Sequence, residues 1–453
     1  MENRDIKKYK VLSLFSGGMG LDLGLEASGQ FETVACIEKN PTFCKTIRLN
    51  QNQGRLPKNL KVIDADISQL SPNTVLRHLG LRAQDIDVIV GGPPCQSFST
   101  AGKRGTTQDP RGTLLWDFLK FVEYIRPKFF LMENVRGLLS AALHHRPIAE
   151  RPETGGPPLS DNEKPGSVVR LFAKDLASIN GASYHLDIFE VNSVNYGAPQ
   201  IRERVFLVGN RYNLRVEFPT PTHGQSPRRD FHPEMQPSLF EPPRLQPWKT
   251  LGDALADLRE KNPIVLDFSP RKKRYLELVP PGSNWRSLPE ELQKESMGKA
   301  WFAKGGRSGW WRRLTFDLPC PTLVTMPNHA STSLCHPTET RALSIREYAR
   351  IQEFPDDWEF YGTVSEQYTQ VGNAVPTRLG RVAGNVLAEN LQIISDREMQ
   401  PASATSCEPR IVYLQSHVRT RQWFKNGKVI IWDDNEDATY NAPKTVKKIR
   451  GLN

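Results

Sequence analysis

The sequence predicts an α/β fold built on one doubly wound sheet, with a smaller second domain and a C-terminal extension. Short β-branched runs alternate with stretches of helical spacing from Val11 to Val208. Glycine or acidic residues follow several of these runs, at the edge where open α/β sheets bind their ligands. Beyond Phe218 the alternation gives way to proline-dense segments, so we place a domain boundary there.

Length and composition indicate a multidomain protein that suits a polyanionic partner. The chain has 453 residues, 24% of them charged, and a formal net charge of +10. This length predicts two to three domains, and the charge favours nucleic acid without requiring it. The six cysteines form no CxxC pair, so neither a metal site nor a disulfide scaffold is indicated. The polar N-terminus and the lack of a bilayer-spanning apolar run predict no membrane contact and a cytoplasmic location with reduced thiols.

A glycine-rich turn follows the first predicted strand, Val11 to Phe15, and precedes a helical stretch. Backbone N–H groups of such a turn can approach a ligand closely, although the turn alone is weak evidence for a nucleotide-like ligand. The turn is Ser16-Gly17-Gly18-Met19-Gly20.

Acidic residues follow the next two predicted strands. Glu38 follows Thr33 to Ile37, at a position suited to accepting hydrogen bonds from a ribose diol. Asp66 and Ile67 follow Lys61 to Ile63, and Asp66 could accept a hydrogen bond from an adenine amino group. A solvated glutamate and a cap of the following turn are the respective alternatives. Together the three strand ends outline an adenosine-type pocket.

The segment GGPPCQSFS, Gly91 to Ser99, follows the buried strand predicted for Ile86 to Val90. Pro93 and Pro94 fix φ at successive positions and restrict where the Cys95 thiol can point. Cys95 is therefore a candidate for chemistry, whereas a buried structural role is the interpretation for the other five cysteines. The glycine-rich, basic stretch from Thr100 to Gly112 predicts either a mobile loop beside the thiol or a solvated surface loop.

Two further strand ends carry charged candidates. Glu133 follows the apolar strand Phe129 to Met132, where a carboxylate is costly to bury without a partner. Gln200, Arg202 and Arg204 alternate in an extended segment and would share one face. A surface salt-bridge strip is the alternative for these three residues.

The second domain mixes basic and aromatic residues between Arg271 and Phe316. Such mixing suits phosphate and base contacts, but the tryptophans could equally form a small core with solvated arginines. In the tail, Trp423 to Trp432 carries an Asn-Gly hairpin pattern of no evident role.

These blocks, in this order, resemble those of the cytosine-C5 DNA methyltransferases over roughly Lys10 to Leu391. The matching blocks are Phe15 to Gly20, Glu38, Asp66-Ile67, Pro94-Cys95-Gln96, Glu133-Asn134-Val135, the set Gln200, Arg202 and Arg204, and the set Gly372, Asn373, Val375 and Pro376. Met19 departs from the family, standing where the F-x-G-x-G-G block has its second glycine. This departure concerns the backbone near the methionine part of the cofactor.

The resemblance implies a Rossmann-like catalytic domain at 1–218 and 346–395, a target-recognition domain at 219–345 and an extension at 396–453 of unknown role. It implies S-adenosylmethionine as cofactor, duplex DNA as substrate, a monomer, and a prokaryotic enzyme paired with a restriction endonuclease. The implied cofactor-binding residues are Phe15, Ser16, Gly17, Gly18, Gly20, Glu38, Asp66, Ile67, Pro94 and Asn373.

The implied chemistry explains the residue types. Cytosine C5 is a poor nucleophile, so Cys95 would add at C6, and Glu133 would hold a proton at N3. Arg204 would orient O2 and Arg202 would support the pocket. The base that removes the C5 proton is not identified, and the cytosine must be flipped out of the duplex, with the loop closing over it.

Three other functions fit the sequence less well. A methyltransferase acting on an exocyclic amine needs no thiol and would carry an Asn/Asp-Pro-Pro-aromatic turn. An RNA-specific relative would share the catalytic blocks, although the large variable region favours duplex DNA. A binding protein without catalysis would lack one of Cys95, Glu133, Arg202 or Arg204, and all four are present.

Overall fold

The computed structural model describes residues 8–94, 113–225, 245–302 and 309–414. Cys95, the loop from Thr100 to Gly112 and the hairpin pattern from Trp423 to Trp432 lie outside these ranges. Within them the central element is an eight-stranded sheet with the strand order β10-β6-β7-β5-β4-β1-β2-β3. The strands are β1 Tyr9–Leu14, β2 Phe31–Glu38, β3 Lys61–Asp64, β4 Val88–Gly91, β5 Phe129–Asn134, β6 His185–Asn192, β7 Glu203–Asn210 and β10 Arg410–Tyr413. A separate pair joins β8 His223–Gly224 to β9 Gln246–Pro247.

Strand direction places a ligand crevice in the middle of the sheet. β7 runs antiparallel to its neighbours β5 and β6, whereas the other pairs are parallel. The strand order reverses between β1 and β4, which are neighbours in the sheet although β2 and β3 separate them in sequence. In open α/β sheets the crevice outside the strand ends at such a reversal binds the ligand.

Helices cover both faces of this sheet. The helices of the described residues are α1 Gly20–Glu26, α2 Pro41–Asn52, α3 Pro72–Leu79, α4 Leu114–Ile125, α5 Ser167–Ala177, α6 Leu251–Leu255, α7 Pro270–Leu276, α8 Glu290–Met297, α9 Ile345–Ile351, α10 Val364–Asn373 and α11 Thr377–Asp396. Of these, α7 and α8 pack in a separate core cluster. Leu12 and Leu14 of β1 pack with α3, α4 and α5, whereas Val11 packs with α1 and α11. This alternation confirms the doubly wound α/β prediction. No helix of the described residues is long and apolar enough to cross a membrane.

The predicted elements match the structure with small shifts at their ends. The apolar spacing from Leu114 to Ile125 predicts a helix ended by Pro127, and α4 ends at Ile125, after which Arg126 adopts a left-handed conformation. Two of the elements that the sequence did not predict are α10 and β10. The last turn of α10 is the segment from Gln370 to Asn373. Strand β10 lies within the C-terminal extension.

The start of the extension is an edge strand of the sheet. β10 runs parallel to β6. Arg410 of β10 donates a hydrogen bond to the buried Asp187 carboxylate of β6 at 2.5 Å. Because a buried carboxylate requires a partner, this contact ties the extension to the sheet.

The insert from Arg146 to Gly166 is an irregular segment with short 3₁₀ turns at Ile148–Glu150 and Pro152–Thr154. Arg146 pairs with Glu163 at 2.5 Å across it. Its richness in proline, glycine and charge predicts either an insert or a disordered loop, and the structure supports an ordered insert.

The predicted second domain contains a core cluster of its own, which agrees with the interpretation that its tryptophans form a small core. Trp285 and Trp311 are buried with Tyr275 and Met297. Arg313 is also buried, and its guanidinium donates to the carbonyls of Leu276 and Val279 and to other oxygens. Trp311 and Arg313 therefore hold this domain together and are not available to a nucleic acid. Neither alternative from the sequence anticipated a buried arginine.

Glycines allow α1 to pack closely against α11. A Cβ atom on Gly24 would lie 2.1 Å from the Thr377 carbonyl oxygen and 2.7 Å from the Gly380 Cα atom. Gly384, one turn further along α11, faces Leu25 of α1 in the same way. This crossing fixes the glycine-rich turn before α1 relative to the Asn373 segment before α11.

We predict that Gly24→Ala destabilises the protein by about 3 kcal/mol or more, because the methyl group meets backbone atoms that cannot move aside. Chemical denaturation of both proteins measures the difference. The control is Gly137→Ala, since a Cβ atom there would make one ordinary contact at 3.9 Å, with Val135. Equal stability of Gly24→Ala and wild type would contradict the close crossing.

Candidate functional site

A cavity of about 750 Å³ lies at the carboxyl ends of β1, β2, β4 and β5, at the reversal of strand order. Every residue predicted as catalytic or cofactor-binding within the described ranges lines it. The lining includes Phe15, Ser16, Gly17, Gly18, Gly20, Glu38, Asp66, Ile67, Pro94, Glu133, Arg202, Arg204 and Asn373. The structure thus brings together residues that are more than 350 positions apart in the sequence.

The glycine-rich turn owes its shape to left-handed backbone conformations at alternate residues. Phe15, Gly17 and Met19 have φ values of 57°, 53° and 65°. Met19 thereby keeps a conformation that glycine adopts readily, at a cost of about 1–2 kcal/mol. Its side chain is fully buried beside Cys36 and Ile47. Met19, in place of the family's glycine, therefore keeps the tight turn. The packing of its buried side chain offsets the strain of its left-handed backbone.

Glu38 is anchored by the turn that it faces. Its carboxylate accepts hydrogen bonds from the backbone N–H groups of Gly17 and Asn40, both at 2.8 Å. Burial raises the pKa of Glu38, and these two N–H groups oppose that effect. Each carboxylate oxygen retains acceptor capacity for a further donor in the cavity. A solvated glutamate, the alternative, is not what the structure shows.

Asp66 combines a local cap with a place in the cavity wall. One oxygen accepts from the Ser68 backbone N–H at 3.0 Å, and the other from Lys39 Nζ at 2.5 Å. The hydrogen bond from Lys39 and those from Ser68 lower the pKa of Asp66. Asp66 therefore caps the following turn, as one interpretation held, and also lines the cavity. Because Lys39 is largely exposed, the pair adds little stability and can open.

The turn that leads to Cys95 is held against β5. A Cβ atom on Gly91 would lie 2.3 Å from the Leu14 carbonyl oxygen, so β4 and β1 approach here as only glycine permits. Asn134 donates a hydrogen bond from Nδ2 to the Pro93 carbonyl at 3.0 Å. The buried Asn134 amide thus connects the end of β5 to the residue pair preceding Cys95.

Glu133 and Arg204 form an ion pair at the cavity wall. Arg204 Nε donates to Glu133 Oε1 at 2.7 Å, and both side chains are largely buried. Burial lowers the pKa of Arg204, whereas Glu133 raises it. Arg204 also donates to the Glu203 backbone carbonyl at 2.7 Å. This pair supplies the partner that a carboxylate at the end of an apolar strand requires.

Arg202 is a buried connection between distant segments. Its guanidinium donates to the carbonyls of Leu323, Gly372 and Asn373 at 3.3, 2.9 and 3.2 Å. Two of these carbonyls belong to the last turn of α10, where a cation also meets the negative end of the helix dipole. Burial lowers the pKa of Arg202. A surface salt-bridge strip, the alternative interpretation of this segment, is wrong.

Gln200 has a structural role behind the cavity. Its side-chain amide donates to Gln352 Oε1 at 2.9 Å, and its carbonyl oxygen accepts from the Leu323 N–H at 3.1 Å. Gln352 in turn donates to the carbonyls of Val371 and Ala374. Gln200 is absent from the described lining of the cavity, so the three alternating residues do not all face it.

Asp22, in the first turn of α1, is an acidic lining residue that sequence reasoning missed. Its side chain is 2% exposed, and Oδ1 has no hydrogen-bond partner. The signal was present, because an aspartate interrupts the run Leu21, Leu23 and Leu25. Among the described residues no three His, Cys, Asp or Glu side chains are grouped to hold a metal.

Comparisons with known proteins agree with this architecture. The model of the family described as C-5 cytosine-specific DNA methylase matches residues 9–389. Type II methyltransferase M.Sau96I of Staphylococcus aureus is 37% identical over 388 residues, which cover 86% of this chain and 77% of the relative. Type II methyltransferase M.Eco47II of Escherichia coli is 34% identical over 398 residues, covering 86% of this chain and 81% of the relative.

A solved structure shares the fold. It is the crystal structure of a prophage-encoded E. coli protein assigned as a DNA modification methyltransferase. It has a TM-score of 0.51 and 23% identity, covering 85% of this chain and all of the other.

The fold and the cavity define an α/β enzyme that binds its ligand where parallel strands end at a reversal of strand order. The family match is more specific, because it spans the sheet, the cavity and the return of the chain through α11. The chain belongs to the C-5 cytosine-specific DNA methylases. It is a DNA (cytosine-5-)-methyltransferase.

Proposed function

We propose that this enzyme flips a cytosine out of a specific duplex sequence and methylates C5 by covalent catalysis, with S-adenosylmethionine as methyl donor. One observation carries the proposal. A single cavity joins an adenosine-type end, with Glu38 and Asp66, to a second end with the Glu133–Arg204 pair. Pro94, which precedes Cys95, lines the same cavity.

The cavity fits the proposed cofactor at its first end. Glu38 is held by two backbone N–H groups with acceptor capacity remaining, which suits a ribose diol. Asp66 and Ile67 would contact the adenine, with the Asp66 carboxylate exchanging Lys39 for the amino group. The cofactor supplies an electrophilic methyl group on a sulfonium. The glycine-rich turn, Pro94 and Asn373 would enclose the remainder, and all of them line the cavity.

Cys95 is the proposed nucleophile. Its thiolate would add to C6 of the cytosine, which moves electron density onto C5. C5 would then take the methyl group, whose bond to the sulfonium sulfur breaks so that the cofactor leaves as its neutral thioether. Removal of the C5 proton by a base, which a water molecule can be, then expels the thiolate and restores the ring. Asn134 acts as a positioning residue, because it fixes the Pro93 carbonyl two positions before Cys95.

Glu133 and Arg204 would bind the edge of the cytosine. Glu133 shares a proton with N3, which stabilises the ring as electron density moves through it. Arg204 donates to O2 while retaining its contact with the Glu203 carbonyl. Arg202 supports the site from behind by holding the carbonyls of Gly372 and Asn373 in place.

The position of the cavity supports the proposed base flipping. A cytosine stacked in a duplex cannot reach a side chain at the end of a buried strand, so the base must leave the helix to meet Glu133. The second domain is proposed to hold the duplex. Arg271 and Arg274 on α7 are exposed and can contact phosphates. Since its relatives are Type II methyltransferases, we propose that the enzyme protects host DNA from a partner restriction endonuclease.

Bisulfite sequencing of genomic DNA from a methylation-free host that expresses the chain tests this function. We expect nearly complete protection of cytosines at one position of one short sequence, and unmodified cytosine elsewhere. A host with the empty vector is the control. If no cytosine is protected although the purified protein binds S-adenosylmethionine, the duplex-DNA substrate is wrong and RNA becomes the substrate to test.

A further inference from the structure

Asp22 is an acidic residue of the cavity to which the proposed reaction assigns no role. Glu38 and Asp66 lie at the adenosine-type end, and Glu133 pairs with Arg204. Asp22 lines the cavity from the first turn of α1. Among the described residues its carboxyl group thus has neither an ion-pair partner nor, at Oδ1, a hydrogen-bond donor, and it has no role in the proposed reaction.

The surroundings of Asp22 are unfavourable for a lone carboxylate. The side chain is 2% exposed, and Oδ1 is buried with no donor within hydrogen-bond distance. The described ionisable groups that act on it are Glu26 on α1 and the Cys36 thiol on β2, and neither is a cation. An unpaired buried charge of this kind is costly, so a buried acid persists in this position either protonated or with a cationic partner.

The protonated form is accessible to Asp22 in the empty cavity. Burial raises its pKa to about 7, with a smaller opposing contribution from the Ser13 hydroxyl. At neutral pH the carboxyl group therefore exchanges readily between its two forms. A ligand that brings a cation and a hydrogen-bond donor to Oδ1 would bind the ionised form and displace the proton.

We propose that Asp22 is the residue that accepts the α-ammonium group of the methionine part of S-adenosylmethionine. This inference rests on the proposed cofactor and adds a recognition residue to it. An ammonium group satisfies the unpartnered oxygen because it donates hydrogen bonds. The sulfonium of the same molecule carries charge but has no hydrogen to donate, so it leaves Oδ1 unsatisfied.

The position of Asp22 agrees with this assignment. Ribose and adenine are proposed at the carboxyl ends of β2 and β3. The cytosine is proposed beside the carboxyl end of β5 and the start of the antiparallel strand β7. The part of the cofactor beyond the ribose then lies above β1 and α1, between these two regions. Ser13 of β1 and Asp22 of α1 both line the cavity there.

The test measures binding rather than turnover, by calorimetric titration of the full-length protein. The ligands are S-adenosylmethionine, S-adenosylhomocysteine and 5′-methylthioadenosine, which lacks the amino-acid part. We expect Asp22→Asn to lower the affinity for S-adenosylmethionine and S-adenosylhomocysteine equally, by about tenfold at pH 7.5. The affinity for 5′-methylthioadenosine should be unchanged. Glu26→Gln is the matched control, since Glu26 is the other acid of α1, does not line the described cavity and keeps an acceptor for the Thr33 N–H.

The pH dependence separates recognition from a structural role. Below about pH 7.7 the α-amino group stays protonated. In wild type, affinity for both charged ligands should then rise nearly tenfold per pH unit between 5.5 and 6.5, with release of about one proton. Asp22→Asn should abolish this slope. Without ligand, Asp22→Asn should unfold at no lower a temperature than wild type at pH 8, because it removes a buried charge.

Two results would overturn the assignment. One is an Asp22→Asn protein that keeps wild-type affinity and the wild-type pH slope. The other is an Asp22→Asn protein whose affinity for 5′-methylthioadenosine falls as much as its affinity for S-adenosylmethionine, which would indicate a general disturbance of the cavity. Failure of wild type to bind S-adenosylmethionine at all is a different outcome, because it would remove the proposed cofactor itself.

Discussion

Cys95→Ala is expected to lower methyl transfer by about 10⁴-fold or more, as loss of a covalent nucleophile does in other enzymes. The physical reason is that C5 of cytosine has little nucleophilicity until a group adds at C6, and an alanine methyl cannot add. Affinity for S-adenosylmethionine should stay within about twofold, because the described cavity wall consists of other residues. Single-turnover methylation and calorimetry measure the two quantities.

The control for this substitution is Cys407→Ala. Cys407 is an exposed free cysteine in the extension, so its loss should leave both methylation and cofactor affinity unchanged. Turnover of Cys95→Ala well above background, in a preparation free of host enzyme, would rule out the thiol as nucleophile.

Glu133→Gln is expected to slow methyl transfer by about 10²- to 10⁴-fold. Glutamine preserves the shape and keeps an acceptor for Arg204 Nε, which now lies 2.7 Å from the carboxylate. It cannot exchange a proton with cytosine N3, so the adduct formed at C6 loses its stabilisation. The effect should fall on the rate constant of the chemical step, with affinity for S-adenosylmethionine unaffected.

Glu203→Gln provides the comparison for Glu133→Gln. Glu203 is adjacent to Arg204 in sequence, and Arg204 donates to its backbone carbonyl. The Glu203 side chain pairs with Arg136, and Glu203 is absent from the described cavity lining. This variant should retain nearly full activity. An unchanged rate for Glu133→Gln would remove the proton-holding role from the mechanism.

The parts of the site that can be predicted from the sequence are the ones encoded within a few consecutive residues. A strand followed by a glycine turn, by Glu38 or by Glu133 has a recognisable local pattern, and the parallel sheet then brings these strand ends to one edge. This geometry explains why the residues predicted as catalytic or cofactor-binding in the described ranges line one cavity.

The parts that could not be predicted depend on contacts between distant segments. Arg202 binds the carbonyls of Leu323, Gly372 and Asn373, and no local pattern around Arg202 shows this. Arg313 is a similar case, because its charge suggested an exposed side chain. Its buried guanidinium instead donates hydrogen bonds to the carbonyls of Leu276 and Val279. Burial of an arginine depends on carbonyl groups that only the folded chain assembles.

Asp22 and β10 illustrate two other limits. Asp22 was passed over because the leucines around it fit a buried helix, and its lack of a partner appears only in three dimensions. β10 is a strand of four residues in a polar context. Its place in the sheet depends on pairing with β6 and on the contact of Arg410 with Asp187. Short edge strands carry little periodic signal of their own.

Covalent trapping tests the central claim most directly, namely that Cys95 bonds to the flipped cytosine. The substrate is a duplex containing the methylated sequence, with 5-fluorocytosine at the target position. Fluorine at C5 leaves no proton for a base to remove, so elimination of the thiolate is blocked after methyl transfer. With S-adenosylmethionine, wild type should form a complex that survives denaturation, with the modified nucleotide attached to the peptide containing Cys95. No complex with wild type, or an equal yield with Cys95→Ala, would contradict the covalent mechanism.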